Sequence, residues 1–413
     1  MKTSRPGDDR SSKWRAGIDA LSIREFRLLF TAQAISVVGD AAYGTVLAWF
    51  TFQFTGSSGA VSLVLGGTAL ATLISLLVGG VLADRWDRRA LMVFSDAARF
   101  ALIGIMALMI VTHRLTLPWL VSLASLAGLV DGLFSPSLGG ILPSLVPDEK
   151  LTSANGLIGF TRATGGILGA AAGGLLYALL GAAPVIGLNA LSFGLSAVMV
   201  AMLPKAGKQV IGRRSSPWQD LFDGVSYVFH APVLLSIPVA ALALLFADAP
   251  TSVLMPAIVA EHFRGTAATI GWLSAAYGVG TAIGSLTTGY LAGSQKPAVI
   301  IFGSWALAHL LAAIMVGQPL VIVAVILSSG RGFLGGAGGT LWNGLLMRNV
   351  PRNKLSRVFS IDTFGVSALT PLGVALTGLL ATNARAVIVV VSGQLLGFVL
   401  MASLLLKPQI RDA

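Results

Sequence analysis

Several ionisable residues lie inside long apolar stretches of this chain, and six of them are considered first for their chemistry. A charged side chain near the centre of a bilayer costs at least about 2.5 to 3.5 kcal/mol, so it persists mainly where it faces protein or water. An aspartate in such a place binds a proton when the site is dry and releases it when water or a cation enters. This chemistry couples proton movement to the movement of another solute. The six residues are Asp40, Asp131, Arg162, Asp248, Arg331 and His309.

Two aspartates of the first half are the predicted proton and cation sites, because both lie well inside their apolar stretches. They are Asp40 and Asp131, and Arg162 is predicted to favour the charged form of one of them. The alternative for Asp40 is a helix-packing acid bonded to Ser36 or to a neighbouring backbone. The alternative for Asp131, which precedes a glycine, is likewise a packing role.

Two of the remaining ionisable residues, Asp248 and Arg331, have two interpretations each. Asp248, two residues before a proline, either takes part in binding or caps a broken helix. Arg331, among four glycines, either pairs with a buried acid or contacts an anionic substrate. Asp96 and Arg99, three residues apart on one helix face, are predicted to form a structural ion pair. His309 is predicted to be a polar residue whose hydrogen bonds are satisfied.

The composition indicates which elements must position these residues. The chain has 413 residues, of which 55% are hydrophobic and 11% charged, whereas about a quarter of the residues of a soluble domain are charged. Crossing the roughly 30 Å hydrocarbon core takes about 20 apolar residues per helix, and the sequence offers twelve such stretches. They lack the alternation of a membrane barrel, so the predicted fold is an all-α integral membrane protein.

The chain carries an internal duplication. The segment 146–151, Val-Pro-Asp-Glu-Lys-Leu, returns as Val-Pro-Arg-Asn-Lys-Leu at 350–355, and Asp40-Ala returns as Asp248-Ala at nearly the same offset. A repeat of half the chain is typical of a doubled helical bundle. The predicted organisation is a cytoplasmic segment 1–25, a six-helix bundle 26–203, a linker 204–231 with an amphipathic helix at 218–229, a second six-helix bundle 232–406 and a tail 407–413.

Charge distribution predicts the orientation. Of the 28 Lys and Arg residues, 22 fall in segments on the side of the N-terminus, which the positive-inside rule assigns to the cytoplasm together with both termini. The net charge of +11 is therefore attributed to topology and to an anionic inner leaflet, not to nucleic-acid binding. The sequence has no cysteine, no metal-ligand cluster and no phosphate loop, so no cofactor, metal or enzymatic activity is predicted.

The loop between the second and third stretches reads Gly-Val-Leu-Ala-Asp-Arg-Trp-Asp-Arg-Arg at 80–89. It resembles the Gly-x-x-x-Asp-Arg-x-Gly-Arg-Arg signature of the major facilitator superfamily, with Asp87 at the second glycine. The resemblance implies a conformational latch between the two halves, and the alternative is that the arginines only set topology. The residues assigned to the latch are Gly80, Asp84, Arg85, Arg88 and Arg89.

The fifth stretch carries glycines in a pattern that resembles the antiporter branches of that superfamily. Glycines four residues apart let another helix backbone approach closely, and generic packing is the alternative reading. These glycines are Gly156, Gly165, Gly169, Gly173 and Gly174.

A narrower resemblance covers nearly the whole chain and is carried by segments such as Phe-Arg-Leu-Leu at 26–29, Asp-Ala-Ala-Arg at 96–99 and Arg-Asn-Val-Pro at 348–351. These segments resemble the macrolide-efflux and enterobactin-exporter type of facilitator. The resemblance implies proton-driven export of a bulky organic molecule by a monomer in the cell membrane, through a midplane cavity. An importer or facilitator of the same fold, or a non-transporting sensor, are the alternatives. Residues suited to line the cavity are Gln33, Tyr43, Phe134, Asn155, Asn189, Tyr277, Trp342 and Asn343.

Overall fold

The computed structural model describes residues 18–204, 232–291, 296–381 and 385–411, and every regular element in these ranges is a helix. The predicted amphipathic helix of the linker lies outside them, as do residues 1–17. The described ranges contain twelve long helices, one for each predicted apolar stretch. They are α1 Arg24–Thr55, α2 Ser58–Arg85, α3 Arg88–Val111, α4 Leu117–Leu145, α5 Leu151–Leu180, α6 Ala182–Ala201, α7 Ser236–His262, α8 Ala267–Leu291, α9 Pro297–Gly317, α10 Val321–Asn349, α11 Arg352–Leu380 and α12 Ala386–Leu404.

Ten of these described helices are long and apolar enough to cross a membrane. The helices outside that set are α8 and α11, and α11 still contains a shorter apolar stretch at Ala368–Leu380. The first turns of α11 carry several basic residues, which lower its average hydropathy. The all-α membrane architecture predicted from composition is therefore confirmed.

Local residue choices explain where the helices begin and end. Asp87 is the N-cap of α3, and its side chain accepts a hydrogen bond from the Arg89 backbone N–H at 2.9 Å. The backbone at Asp87 is extended, with φ −63°, so no glycine is needed at this position of the loop. Gly181 ends α5 with φ 81°, a conformation that favours glycine. The chain can therefore turn directly into α6.

The described residues form two compact units. The first takes those among Met1–Val46 and Leu70–Gln209, and the second takes those among Leu47–Ala69 and Val210–Ala413. In the first unit α3 packs against α4 and α6; in the second, α10 packs against α8 and α9. The connection between α1 and α2 belongs to the second unit, where Ser62 Oγ donates to the Val374 carbonyl of α11 at 2.9 Å. The predicted bundles placed this connection in the first half.

Three of the predicted glycines of α5 lie against α1. A Cβ at Gly169 would overlap the Val38 carbonyl oxygen, and one at Gly173 would lie 2.6 Å from the Ala42 Cα. Gly165 is similarly close to a valine side chain of α1, and Gly174 is buried. Gly156 has nothing within 4 Å of the same position, so it does not belong to the contact.

Replacing Gly169 with alanine is expected to lower the free energy of unfolding by about 1 to 3 kcal/mol, the usual cost of overpacking. The obstructing atom is backbone, which cannot rotate away. Gly166→Ala on the same helix is the matched control, because a Cβ there meets nothing within 4 Å. Thermal unfolding of the two purified variants measures the difference. Equal unfolding midpoints would show that α5 and α1 are not packed backbone to backbone at Gly169.

Close backbone contact also joins α8 to α10 in the second unit. A Cβ at Gly332 would overlap the Tyr277 carbonyl oxygen, and a Cβ at Gly280 would overlap the Ser329 carbonyl oxygen. Each helix therefore supplies glycines where the other presents carbonyls. This approach brings the Tyr277 side chain to the position of Arg331, which is part of the site described next.

Candidate functional site

Arg99, near the middle of α3, contacts three carboxylates of the first unit. Its Nη2 lies 2.5 Å from Asp96 Oδ1, and its Nη1 lies 2.7 Å from Asp131 Oδ1 and 3.8 Å from Asp40 Oδ2. The guanidinium carbon stands 4.0 Å from the centre of the Phe193 ring, a cation–π contact. We call Asp40, Asp96, Arg99 and Asp131 the arginine cluster. Its members come from α1, α3 and α4.

Helix α6 supports the arginine cluster with one face. Asn189 and Ser196, seven residues apart, donate to Asp40 Oδ1 at 3.4 Å and to Asp96 Oδ2 at 2.6 Å. Phe193 lies between them in sequence, and the Arg99 guanidinium packs over its ring. Gly39 permits this approach, because a Cβ there would lie 2.5 Å from the Asn189 amide oxygen.

Helix α4 brings Asp131 to the cluster through contacts with α2 and α3. A Cβ at Gly132 would lie 2.8 Å from the Thr72 carbonyl oxygen, so α4 and α2 touch backbone to backbone. On the other side, Ser95 Oγ donates to the Val130 carbonyl at 2.7 Å. These contacts fix the helix on both sides of Asp131.

The side chains of the arginine cluster differ in how far they are exposed. The side chains of Asp96 and Arg99 are 1% and 6% exposed, whereas those of Asp40 and Asp131 are 45% and 49% exposed. Because a charged group that faced lipid would be strongly destabilised, the accessible side of Asp40 and Asp131 is suited to water or to a polar ligand. Both carboxylate oxygens of Asp96 accept hydrogen bonds from protein groups, and the buried side chain is not accessible to water or to a ligand.

This geometry changes two of the sequence-based expectations. The cation beside Asp40 and Asp131 is Arg99, not Arg162, which is exposed and forms no ion pair within the described ranges. The predicted pair of Asp96 and Arg99 is confirmed, but it is one part of a larger cluster. The alternative in which Asp40 bonds Ser36 is wrong, because the buried Ser36 Oγ has no hydrogen-bond partner among the described residues.

The second unit contains its own ion pair. Arg331 Nη2 of α10 lies 2.5 Å from Asp248 Oδ1 of α7, and the guanidinium carbon stands 5.2 Å from the centre of the Tyr277 ring. Helix α7 is continuous here, with a π-helical turn at Leu244–Asp248. Asp248 makes no side-chain capping bond, so the interpretation as the cap of a broken helix is wrong. The predicted pairing of Arg331 with an acid is confirmed.

Two arginines of the signature loop bind backbone carbonyls of the first unit. Arg88 Nη1 donates to the Gly140 carbonyl of α4 at 2.5 Å, and Arg89 Nη2 donates to the Ala201 carbonyl at the end of α6. They therefore join the N-terminus of α3 to its neighbours as well as adding positive charge. Of Gly80, Asp84 and Arg85 the structure describes only the helical backbone.

The predicted cavity residues fall into two groups. Gln33, Phe134, Asn189 and Trp342 are buried and do not face an open space. The other four, Asn155, Tyr277, Asn343 and Tyr43, are exposed or partly exposed. No group of three or more His, Asp or Glu side chains in the described ranges is arranged to hold a metal ion.

One further acid was missed in the sequence. Asp362 of α11 accepts a hydrogen bond from Trp342 Nε1 at 3.3 Å. The same rule that selected Asp40, an acid inside an apolar stretch, applies to it.

Comparison with known proteins agrees with this architecture. A family model described as Major Facilitator Superfamily matches residues 29–249 and 239–412. Enterobactin exporters EntS from Escherichia coli O1:K1 and from Shigella boydii serotype 18 are each 30% identical over 389 residues, which is 91% of this chain and 92% of theirs. Two solved structures share the fold: the nucleoside transporter NupG, with TM-score 0.72, 11% identity and coverage of 93% and 99%, and a bacterial homologue of the iron transporter ferroportin, with TM-score 0.71, 20% identity and coverage of 92% and 98%.

Proposed function

Because the chain belongs to the major facilitator superfamily, we propose that it is a proton-coupled exporter of a bulky organic molecule. It is a multi-pass membrane transporter, and the proposal adds the coupling ion, the direction and the class of cargo. We place it in the cytoplasmic membrane as a monomer with both termini inside, where its positive loops meet an anionic leaflet.

The arginine cluster is the observation on which the coupling depends. One guanidinium faces three carboxyl groups, so full ionisation would leave two uncompensated negative charges inside a helical bundle. A proton on Asp40 or Asp131 removes one of these two charges, and a cationic or hydrogen-bond-donating group of the cargo offsets the same charge when the proton leaves. Proton and cargo therefore compete for the same negative charge, and competition of this kind produces exchange.

The distances suggest which group exchanges. Arg99 Nη1 lies closer to Asp131 than to Asp40 by about 1 Å, at 2.7 against 3.8 Å. Protonation of Asp131 would free Nη1 to bind Asp40, so the two accessible acids share one cation. Asp96 holds the other guanidinium nitrogen throughout and keeps Arg99 in place.

The class of cargo is proposed from the relatives and from the second unit. The enterobactin exporters named above support export of a siderophore-like or drug-like compound. Asp248, Arg331 and Tyr277 offer a carboxylate, a guanidinium and a partly exposed ring, which suits a polar aromatic molecule. Each proton that returns through about 180 mV supplies roughly 4 kcal/mol for such export.

Transport by purified protein in liposomes tests this function. With enterobactin and the macrolide erythromycin as probes, an imposed pH gradient is expected to drive movement of at least one probe against its concentration gradient. Collapse of the gradient with nigericin should stop it, and protein-free liposomes are the control. Movement that only equilibrates the probe, with or without a pH gradient, would identify a facilitator instead.

A further inference from the structure

A buried network in the second unit holds the backbone of α7 beside Asp248. The Gln394 side chain of α12 is fully buried, and its Nε2 donates to the Ala247 carbonyl at 3.1 Å and to Thr251 Oγ1 at 2.9 Å. Its Oε1 lies 2.7 Å from Nδ1 of His309 on α9. We call His309, Gln394 and Thr251 the His309 network. Nothing in the proposed exchange at the arginine cluster uses it.

The network occupies the same place in the duplicated chain as the supports of the arginine cluster. Asn189 and Gln394, on α6 and α12, are separated by nearly the same offset as Asp40 and Asp248 on α1 and α7. His309 on α9 follows Arg99 on α3 at almost that offset as well. In the first unit the amide binds the acid itself, and in the second it binds the carbonyl of the residue before the acid.

The Ala247 carbonyl of α7 accepts side-chain hydrogen bonds just before a proline. The π-helical turn Leu244–Asp248 is followed within two residues by Pro250, which has no N–H to donate. Thr251 Oγ1 and Gln394 Nε2 both donate to the Ala247 carbonyl. Two glycines let α12 approach, since a Cβ at Gly393 would overlap the Phe246 carbonyl oxygen and one at Gly397 would lie 3.0 Å from the His309 ring.

The hydrogen bonds also determine the orientation of the side chains. The Ala247 carbonyl only accepts hydrogen bonds, so the nitrogen of the Gln394 amide must face it and the amide oxygen must face His309. The His309 Nδ1 must then carry a hydrogen and donate it. His309 thus fixes the amide, the amide fixes the Ala247 carbonyl, and the next residue is Asp248.

We propose that His309 is a positioning residue that, through Gln394 and the Ala247 carbonyl, holds Asp248 against Arg331. The ion pair at 2.5 Å then depends on a side chain of α9 that touches neither partner. This inference rests on the proposed function in one respect only, namely that the Asp248–Arg331 pair binds the cargo. The positioning itself is a property of the protein without cargo.

Carbodiimide labelling of the full-length protein tests the proposal without a transport substrate. Dicyclohexylcarbodiimide modifies protonated carboxyl groups in apolar surroundings, so an Asp248 paired with Arg331 should react slowly. His309→Leu should raise modification of Asp248 severalfold, measured by mass spectrometry of the α7 peptide. His309→Asn places an amide nitrogen where Nδ1 stood and should restore the slow reaction. Modification of Asp40, in the other unit, is the internal reference and should not change.

Unchanged labelling of Asp248 in a folded His309→Leu protein would overturn the proposal, as would equal labelling in the leucine and asparagine variants. If the leucine variant does not fold, His309→Met replaces it, because a flexible apolar side chain fills the space and also lacks the donor. Failure of the unmodified protein to move any probe would count against the proposed function alone, since labelling requires no cargo.

Discussion

Replacing Asp40 with asparagine is expected to abolish export driven by a pH gradient while leaving folded protein in the membrane. Asparagine keeps the shape of the side chain and its bond with Asn189, but it cannot take up and release a proton. The stability cost should be small, because the substitution removes one of the uncompensated negative charges and Arg99 keeps its closer contact with Asp131 at 2.7 Å. Uptake of enterobactin into inside-out vesicles, acidified on the inside, measures the loss.

Two other acids make the Asp40 result specific. Asp131→Asn should show the same loss of coupling, because it removes the second accessible carboxyl that shares Arg99. Asp19→Asn removes an exposed acid paired with Lys150 at 3.1 Å, before α1 begins, and should transport like the unmodified protein. Full gradient-driven uptake by the Asp40→Asn protein would exclude Asp40 from proton coupling.

Replacing Arg99 with leucine is expected to destabilise the protein by about 3 to 5 kcal/mol, the cost of breaking a buried ion pair. Asp96, only 1% exposed, would lose its cation, and the rings of Phe134 and Phe193 would lose the group that they enclose. Transport should be lost together with stability. Thermal unfolding in detergent and the yield of monodisperse protein give the measurement.

Two arginine variants serve as controls for Arg99→Leu. Arg99→Lys keeps the charge but not the fork that reaches Asp96 and Asp131 at once, so it should fold better than the leucine variant and still transport poorly. Arg162→Leu should unfold at the same temperature as the unmodified protein, because Arg162 is exposed. A larger loss of stability from Arg162→Leu than from Arg99→Leu would contradict the assignment of the central cation.

The fold could be predicted from the sequence because the thickness of the bilayer sets the length of an apolar stretch. Asp40, Asp131, Asp248 and Arg331 are selected as candidate site residues for the same reason, since charges in such stretches are costly. The sequence does not show which helices are neighbours. Arg99 therefore looked satisfied by Asp96 three residues away, although α3 lies between α4 and α6 and its guanidinium reaches other helices.

The backbone of α7 illustrates a second limit. The proline at 250 indicated a break, but α7 continues through it with a π-helical turn at Leu244–Asp248. The Ala247 carbonyl in that turn accepts hydrogen bonds from the Thr251 and Gln394 side chains. This solution depends on glycines of α12, more than 140 positions away along the chain. Pattern alone does not connect residues at that separation.

Release of protons when cargo binds is the measurement that tests the proton–cargo exchange most directly. Purified protein in weakly buffered detergent solution, with a pH-sensitive dye, would be titrated with enterobactin and with erythromycin. We predict acidification that saturates with the bound probe and disappears when Asp40 and Asp131 are both asparagine. Saturable binding of a probe to the unmodified protein with no release of protons would contradict the exchange.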